Sequence, residues 1–255
     1  MRELTEVAPA VLVTTASQYT TTSTVVVGAG GSCLVVDPAV SVAEVTGLAG
    51  ELAQRNLRPV AGWATHAHWD HLLWCSGLGD VPRYATRRGV EVVQRERAGL
   101  IEGVVAAAPG HDLDLFGRLT ALDGNRIPWH GPAAIVVEHD AHEIGHGAIF
   151  LPETGTLVAG DMLSDLEIPL LYPGEPDPVG RYRAGLELLA ALDGVRTVVP
   201  GHGHVGNTAE FRRRVDADRR YLDALARGSR AVDDERMVSG WLLAEHERQL
   251  TLLHG

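Results

Sequence analysis

Between residues 65 and 71 the sequence reads Thr65-His66-Ala67-His68-Trp69-Asp70-His71, with three imidazoles and a carboxylate in close succession. Imidazole nitrogen and carboxylate oxygen are the donors that suit Zn²⁺ and its first-row neighbours. The run follows the apolar stretch Pro59-Val60-Ala61-Gly62-Trp63-Ala64 and precedes Leu72-Leu73-Trp74. Polar groups are costly in apolar surroundings, and a bound cation relieves that cost. In an extended segment residues i and i+2 share a face, so His66 and His68 can grip one ion. Asp70 and His71 come after the chain has turned and point to a second ion beside the first. The spacing predicts a two-metal hydrolytic site.

Three later donors share one placement, just past the end of a strand-like run. His142 follows Ile135-Val136-Val137, Asp161 follows Leu157-Val158-Ala159-Gly160, and His202 follows Val198-Val199-Pro200-Gly201. Loops at strand C-termini can converge on a site while the sheet stays rigid. His111, in Pro109-Gly110-His111, competes with His142. It is followed by Asp112-Leu113-Asp114-Leu115 and not by a hairpin leading to Gly-Asp, so His142 is preferred. His130 and His139 fit less well, and His139 is expected to be a polar surface residue or a partner to a ligand.

The elements that must position these donors alternate in type. Strands are expected at 11–13, 24–27, 33–36, 60–65, 134–137, 148–151, 156–159 and 197–199, where β-branched residues cluster between turn signals. Helical periodicity covers 42–56, 86–97, 181–192, 208–227 and about 233–253. Gly28-Ala29-Gly30-Gly31 joins two strands and opens no helix, so it reads as a hairpin turn and not as a phosphate loop. Between 98 and 132 prolines and glycines break the pattern, which predicts an irregular insertion walling the site.

The ordered set Thr-His-x-His-x-Asp-His at 65–71, a His ahead of a hairpin, Gly-Asp at 160–161 and Pro-Gly-His-Gly at 200–203 resembles the metallo-β-lactamase superfamily. The resemblance spans roughly 10–226 and is nearest the glyoxalase II-like and lactonase-like branch, which carries an Asp between its metals. It implies an α/β fold, an αββα sandwich of two mixed sheets flanked by helices, as one domain over 1–255 with C-terminal helices at about 208–255. Carried over residue by residue, it implies that His66, His68 and His142 hold one divalent ion. Asp70, His71 and His202 hold a second, and Asp161 bridges the two. Zinc is the first expectation, with iron or manganese as alternatives. A hydroxide shared by the ions would attack an ester, lactone or thioester, with Asp70 accepting its hydrogen bond. Alternatives on the same scaffold are a single-iron persulfide dioxygenase-like enzyme, a β-lactamase and a phosphodiesterase.

Substrate contacts are read from position alone: Trp69 between ligands, His146 and His204 beside His142 and His202, and Tyr172 in the 165–178 segment expected at the pocket mouth. His246 and His254 are expected to be solvated. Cys33 and Cys75 build no disulfide framework and are expected in the core.

A net charge of −11 opposes nucleic-acid binding, which needs a basic footprint. Arg212-Arg213-Arg214 and Arg219-Arg220 are interleaved with acids and read as a solvated helix face. No apolar run approaches the roughly 18 residues needed to span a bilayer, and the first residues carry acids in place of an apolar leader. The expectation is a cytoplasmic enzyme with a small-molecule substrate, no nucleic-acid or membrane partner, and a homodimer left open.

Overall fold

The computed structural model describes residues 3–174 and 176–255. Valine-rich segments near the N-terminus pair in chain order as β1 (Thr5–Ala8), β2 (Val11–Thr15), β3 (Thr22–Val27) and β4 (Ser32–Val36). These four are antiparallel. Helix α1 (Val42–Gln54) then crosses to β5 (Arg58–Trp63), which lies parallel to β4 and is followed by β6 (Arg83–Ala85). Helix α2 (Arg87–Ala107) leads to β7 (Thr120–Ala121), closing a seven-stranded mixed sheet.

The second sheet is assembled the same way. β8 (Ile135–His139), β9 (His146–Leu151) and β10 (Thr156–Gly160) form an antiparallel meander. Helix α3 (Pro178–Ala190) crosses to β11 (Thr197–Pro200), parallel to β10, and β12 (Gly206–Asn207) completes five strands. Helices α4 (Thr208–Ala226) and α5 (Gly240–His254) end the chain.

Alternation along the strands explains the layers. Val26, Leu34, Val36 and Trp63 face Val136, Ile149, Val158 and Val199 between the two sheets. Their neighbours Val25, Cys33 and Val35 point the other way, onto Val45, Leu48 and Leu52 of α1 and Val92 and Val93 of α2. On the far side Leu157, Ala159 and Val198 pack against Tyr182 and Leu186 of α3 and Val215, Tyr221 and Leu222 of α4. The result is the expected αββα sandwich. No described helix is long and apolar enough to cross a membrane.

Several expectations need correction. Helix α2 runs ten residues beyond Arg97, to Ala107, because Val104 is buried on its inner face and Gly103 lies against the Trp69 ring. The rest of the 98–132 segment folds onto the first sheet, with Phe116, Leu122 and Ile127 buried in the core. Helix α5 starts at Gly240 and not near 233, since Asp234 and Arg236 hold an irregular crossing described below. In α4, Arg212 and Arg213 face solvent, but Arg214 shares the buried face of Phe211, Val215 and Tyr221 and donates to the Leu163 carbonyl at 3.2 Å. His246 is buried, its Nδ1 3.0 Å from the Tyr221 hydroxyl and its Nε2 3.0 Å from the Ser229 carbonyl.

Helix α1 also fastens a loop that the site needs. Ser41 and Glu44 form a capping box at its N-terminus. Glu44 Oε1 additionally accepts from the Ser17 amide at 2.7 Å, tying down the segment that carries Tyr19 and Thr21. Burial works to raise the Glu44 carboxyl, but the Ser17 and Ser41 hydrogen bonds outweigh it and hold the group at about 2. A depressed folded value means the stabilisation is present above the ordinary value of 4.5 and is lost as pH falls toward 2. Glu44→Gln is expected to lower stability by about 1–2 kcal/mol at neutral pH. Urea denaturation should show that gap closing under acid conditions; a gap independent of pH would contradict the assignment.

Candidate metal centre

All seven donors expected from the sequence converge at one edge of the two sheets. His66, His68, His142 and Asp161 form one group and Asp70, His71 and His202 another, the donor atoms of each lying within 4.8 Å of one another. The donors follow the C-terminal ends of β5, β8, β10 and β11. Asp161 sits between the groups. Its Oδ2 is 3.4 Å from both His66 Nε2 and His142 Nε2 and 3.2 Å from His202 Nε2, while its Oδ1 is 3.2 Å from His71 Nε2.

Each imidazole is oriented by a partner behind it. The His71 Nδ1–H donates to Asp37 Oδ2 at 2.9 Å. His142 Nδ1–H donates to the Leu170 carbonyl at 3.1 Å, and His202 Nδ1–H to the Tyr19 carbonyl at 2.9 Å. Thr65 Oγ1 donates to Asp37 Oδ2 at 2.6 Å and so accepts from His66 Nδ1 at 3.0 Å. His68 turns Nε2 toward Glu143 Oε2 at 3.4 Å. These partners assign the tautomers: His66, His71, His142 and His202 present Nε2 inward and His68 presents Nδ1. The inward lone pairs then face one another, His68 Nδ1 at 3.1 Å from His142 Nε2 and His71 Nε2 at 3.4 Å from His202 Nε2. His66 Nε2 and Asp161 Oδ1 are buried and make no hydrogen bond. Imidazole nitrogens and carboxylate oxygens converging in this way fit divalent cations.

Two glycines permit this closeness. A β-carbon at Gly160, which adopts a left-handed φ of 58°, would overlap His146 Nε2, and one at Gly201 would overlap Asp161 Oδ1. These contacts account for Gly-Asp and Pro-Gly-His as dipeptide and tripeptide units.

Electrostatics divides the cluster. Burial and the neighbouring His71 charge lower His66 well below its ordinary value, and burial lowers His142 to about 3. Burial also acts against charge on His71 and His202, yet the facing carboxylates, Asp161 foremost, raise both, His202 to about 10. Burial disfavours the Asp161 carboxylate, but His202, His71 and His66 hold its value far down.

A cavity of ≈ 680 Å³ opens over the donors. Trp69, Leu166 and Leu170 wall it, as the sequence led one to expect of 165–178, and Trp69 is the one of the four expected substrate contacts that lines it. Tyr172 lies in an adjoining cavity of ≈ 350 Å³. His204 is exposed and pairs with Asp165 at 2.8 Å. His146 lies away from the cavity, wholly buried and stacked between His66 and His139 with ring centroids 5.0 and 4.5 Å away. His111 stays outside, 2.8 Å from the Val40 carbonyl.

The expected wall from 98–132 supplies only Ala107 to the larger cavity. A further wall is Arg236, Val238 and Ser239 from the crossing between α4 and α5, with Trp241 and Leu242 from the first turn of α5. Arg236 pins that crossing. It pairs with Asp218 at 2.6 Å and Asp234 at 2.8 Å, and donates to the Glu167 carbonyl at 3.0 Å. Burial raises Asp218 to about 6 despite the Arg236 charge. Glu167 also lines the cavity, raised to about 7 by burial and the facing Asp161 and Asp70 against the pull of His202.

A family model of the metallo-beta-lactamase superfamily matches residues 18–202. The chain belongs to this superfamily. Among its relatives, a hydroxyacylglutathione hydrolase of Ruegeria pomeroyi is 29% identical over 198 residues, 78% of this chain and 68% of the relative. One of Acidiphilium cryptum is 28% identical over 208 residues, 82% and 73% respectively. A beta-lactamase domain protein from Burkholderia ambifaria shares the fold with a TM-score of 0.70 at 18% identity, over 89% of this chain and 76% of that one. A metallo-beta-lactamase family protein from Thermus thermophilus does so at 0.65 and 23%, over 86% and 81%. This superfamily member is a metal-dependent hydrolase. Its cavity wall at 236–242 lies beyond the matched residues.

Asp37 was not singled out by the sequence reading, although it too stands just past a strand, after Val36. It holds His71, the Thr65 hydroxyl and, at 2.9 Å, the Thr65 amide. Asp37→Ala is expected to weaken metal binding about 10- to 100-fold, as removal of a partner behind a ligand does. Calorimetric titration of the apo-protein with Zn²⁺ measures this; an unchanged affinity would contradict the role given to Asp37.

Proposed function

We propose that this chain is a dinuclear metal-dependent hydrolase cleaving an ester, lactone or thioester of a small molecule. The observation that carries the reading is Asp161, whose two oxygens stand within 3.4 Å of imidazoles from both donor groups. His66, His68 and His142 would hold one ion, Asp70, His71 and His202 the other, and Asp161 both. Zinc suits a set of five imidazoles and two carboxylates. Two divalent cations held there supply hydroxide near neutral pH and polarise a carbonyl.

The side chains do the rest. Asp70 lines the cavity as well as the donor group, with Oδ2 3.3 Å from His202 Nε2 and 3.5 Å from the Thr21 hydroxyl. It is placed to take the proton of an attacking water onto an Oδ atom. Trp69, Leu166 and Leu170 exclude bulk water from the reacting carbonyl, which strengthens each electrostatic contact there. Neither cysteine lines the cavity, and burial pushes the Cys33 thiol up to about 12, so no thiolate nucleophile is on hand. Convergence of Asp70, His71 and His202 favours two ions over a single-iron oxygenase.

Chelation should abolish hydrolysis of aryl esters, thioesters and lactones, and Zn²⁺ should restore it; full activity in demonstrably metal-free protein would overturn the proposal. Asp161→Ala is expected to hold fewer than two ions per chain by native mass spectrometry. A variant retaining two would refute the shared position of Asp161.

A further inference from the structure

The described charges around the two cavities are unbalanced. Arg236 is the only arginine lining the larger cavity, and it faces two carboxylates, Asp218 and Asp234. Glu167 lines the same cavity, and its carboxylate makes no hydrogen bond to a described residue. The adjoining cavity shares His68, His142, Leu170 and Trp241 with the first. There Arg248 pairs with Glu245 at 2.6 Å, Glu96 pairs with Arg95 at 2.8 Å, and Glu143 adds a carboxylate turned toward His68. The sequence contains no lysine. Outside the metal centre, then, every cation at these walls is matched or outnumbered by acids.

The remaining wall is apolar and open at its mouth. Tyr19, Leu166, Val238 and Trp241 line the cavity and remain 54%, 38%, 84% and 51% exposed. Large apolar side chains grouped around the entrance of one cavity mark a binding surface. A glutathione thioester is a poor match to these walls, because its two carboxylates would meet no free cation.

Resting on the hydrolase reading above, we propose that the pocket selects substrates with an apolar body bearing no negative charge, and that Glu167 is the residue rejecting anions. Trp241 and Val238 cover the apolar body while Glu167 stands beside the metal centre. A like charge placed against a wall in this way costs binding without disturbing the chemistry of the reacting carbonyl.

The test uses zinc-loaded enzyme at about pH 8.5, where Glu167, raised to about 7, is ionised, and a non-hydrolysable pair that differs only in charge, S-hexylglutathione and its diamide. The diamide is expected to bind tighter by about tenfold or more, and Glu167→Gln should shrink that ratio. Equal or tighter binding of the free acid would overturn the proposal, and a ratio unmoved by Glu167→Gln would overturn the role of Glu167. Both readings come from calorimetry, so they stand whether or not the enzyme turns over a thioester. Loss of turnover with the affinity order intact would count against the hydrolase reading alone.

Discussion

Five imidazole nitrogens and two carboxylates turned inward on one another form the constraint on which the rest of the structure depends. Acceptors 3.1–3.4 Å apart repel unless a proton or a cation lies between them. The fold holds them there by fixing the outer nitrogen of every ring. Asp37, Thr65, Glu143 and the carbonyls of Tyr19 and Leu170 each take one outward N–H. These partners come from the ends of β4 and β5 and from loops at 19–21, 143 and 170, so both sheets are needed to orient one cluster. Gly160 and Gly201 let β10 and β11 approach closely enough for Asp161 to reach both donor groups.

A second constraint governs access. The crossing at 229–239 is tied to the cavity by Arg236, whose guanidinium joins Asp218 of α4 to the backbone of the loop carrying Glu167. Asp218 is buried, so removing Arg236 would strand a carboxylate in the core, and breaking such a pair typically costs about 3–5 kcal/mol. The chain therefore spends a buried ion pair on the wall of its pocket. That wall lies outside the superfamily match, whereas the seven donors and the cavity walls Trp69, Leu166 and Leu170 lie inside it.

The ligands were legible because metal chemistry restricts residue type and spacing locally: His66 and His68 share a face, and Asp161 and His202 follow strands. The order of strands and helices was legible from β-branched runs and helical periodicity, and the four-layer fold from the resemblance to the metallo-β-lactamase superfamily. Asp37 carried the same signal as Asp161, an acid after a strand, but stood alone without neighbouring histidines. His246 could have been placed by the buried stripe Leu242, His246, Gln249 and Leu250 of α5, whose spacing is helical. The pocket wall had no local signal, since Trp241 and Val238 reach the cavity that Trp69 lines only through a crossing held by Arg236. His146 looked like a pocket residue because it is near His142 in sequence, yet strand β9 turns it beneath His66.

The central claim is that two ions share Asp161. Diffraction from zinc-grown crystals, recorded on both sides of the zinc absorption edge, addresses it directly. Two anomalous peaks are expected, one among His66, His68 and His142 and one among Asp70, His71 and His202, each about 2.0–2.2 Å from an Asp161 oxygen. A single peak, or two peaks with Asp161 bound to only one, would contradict it.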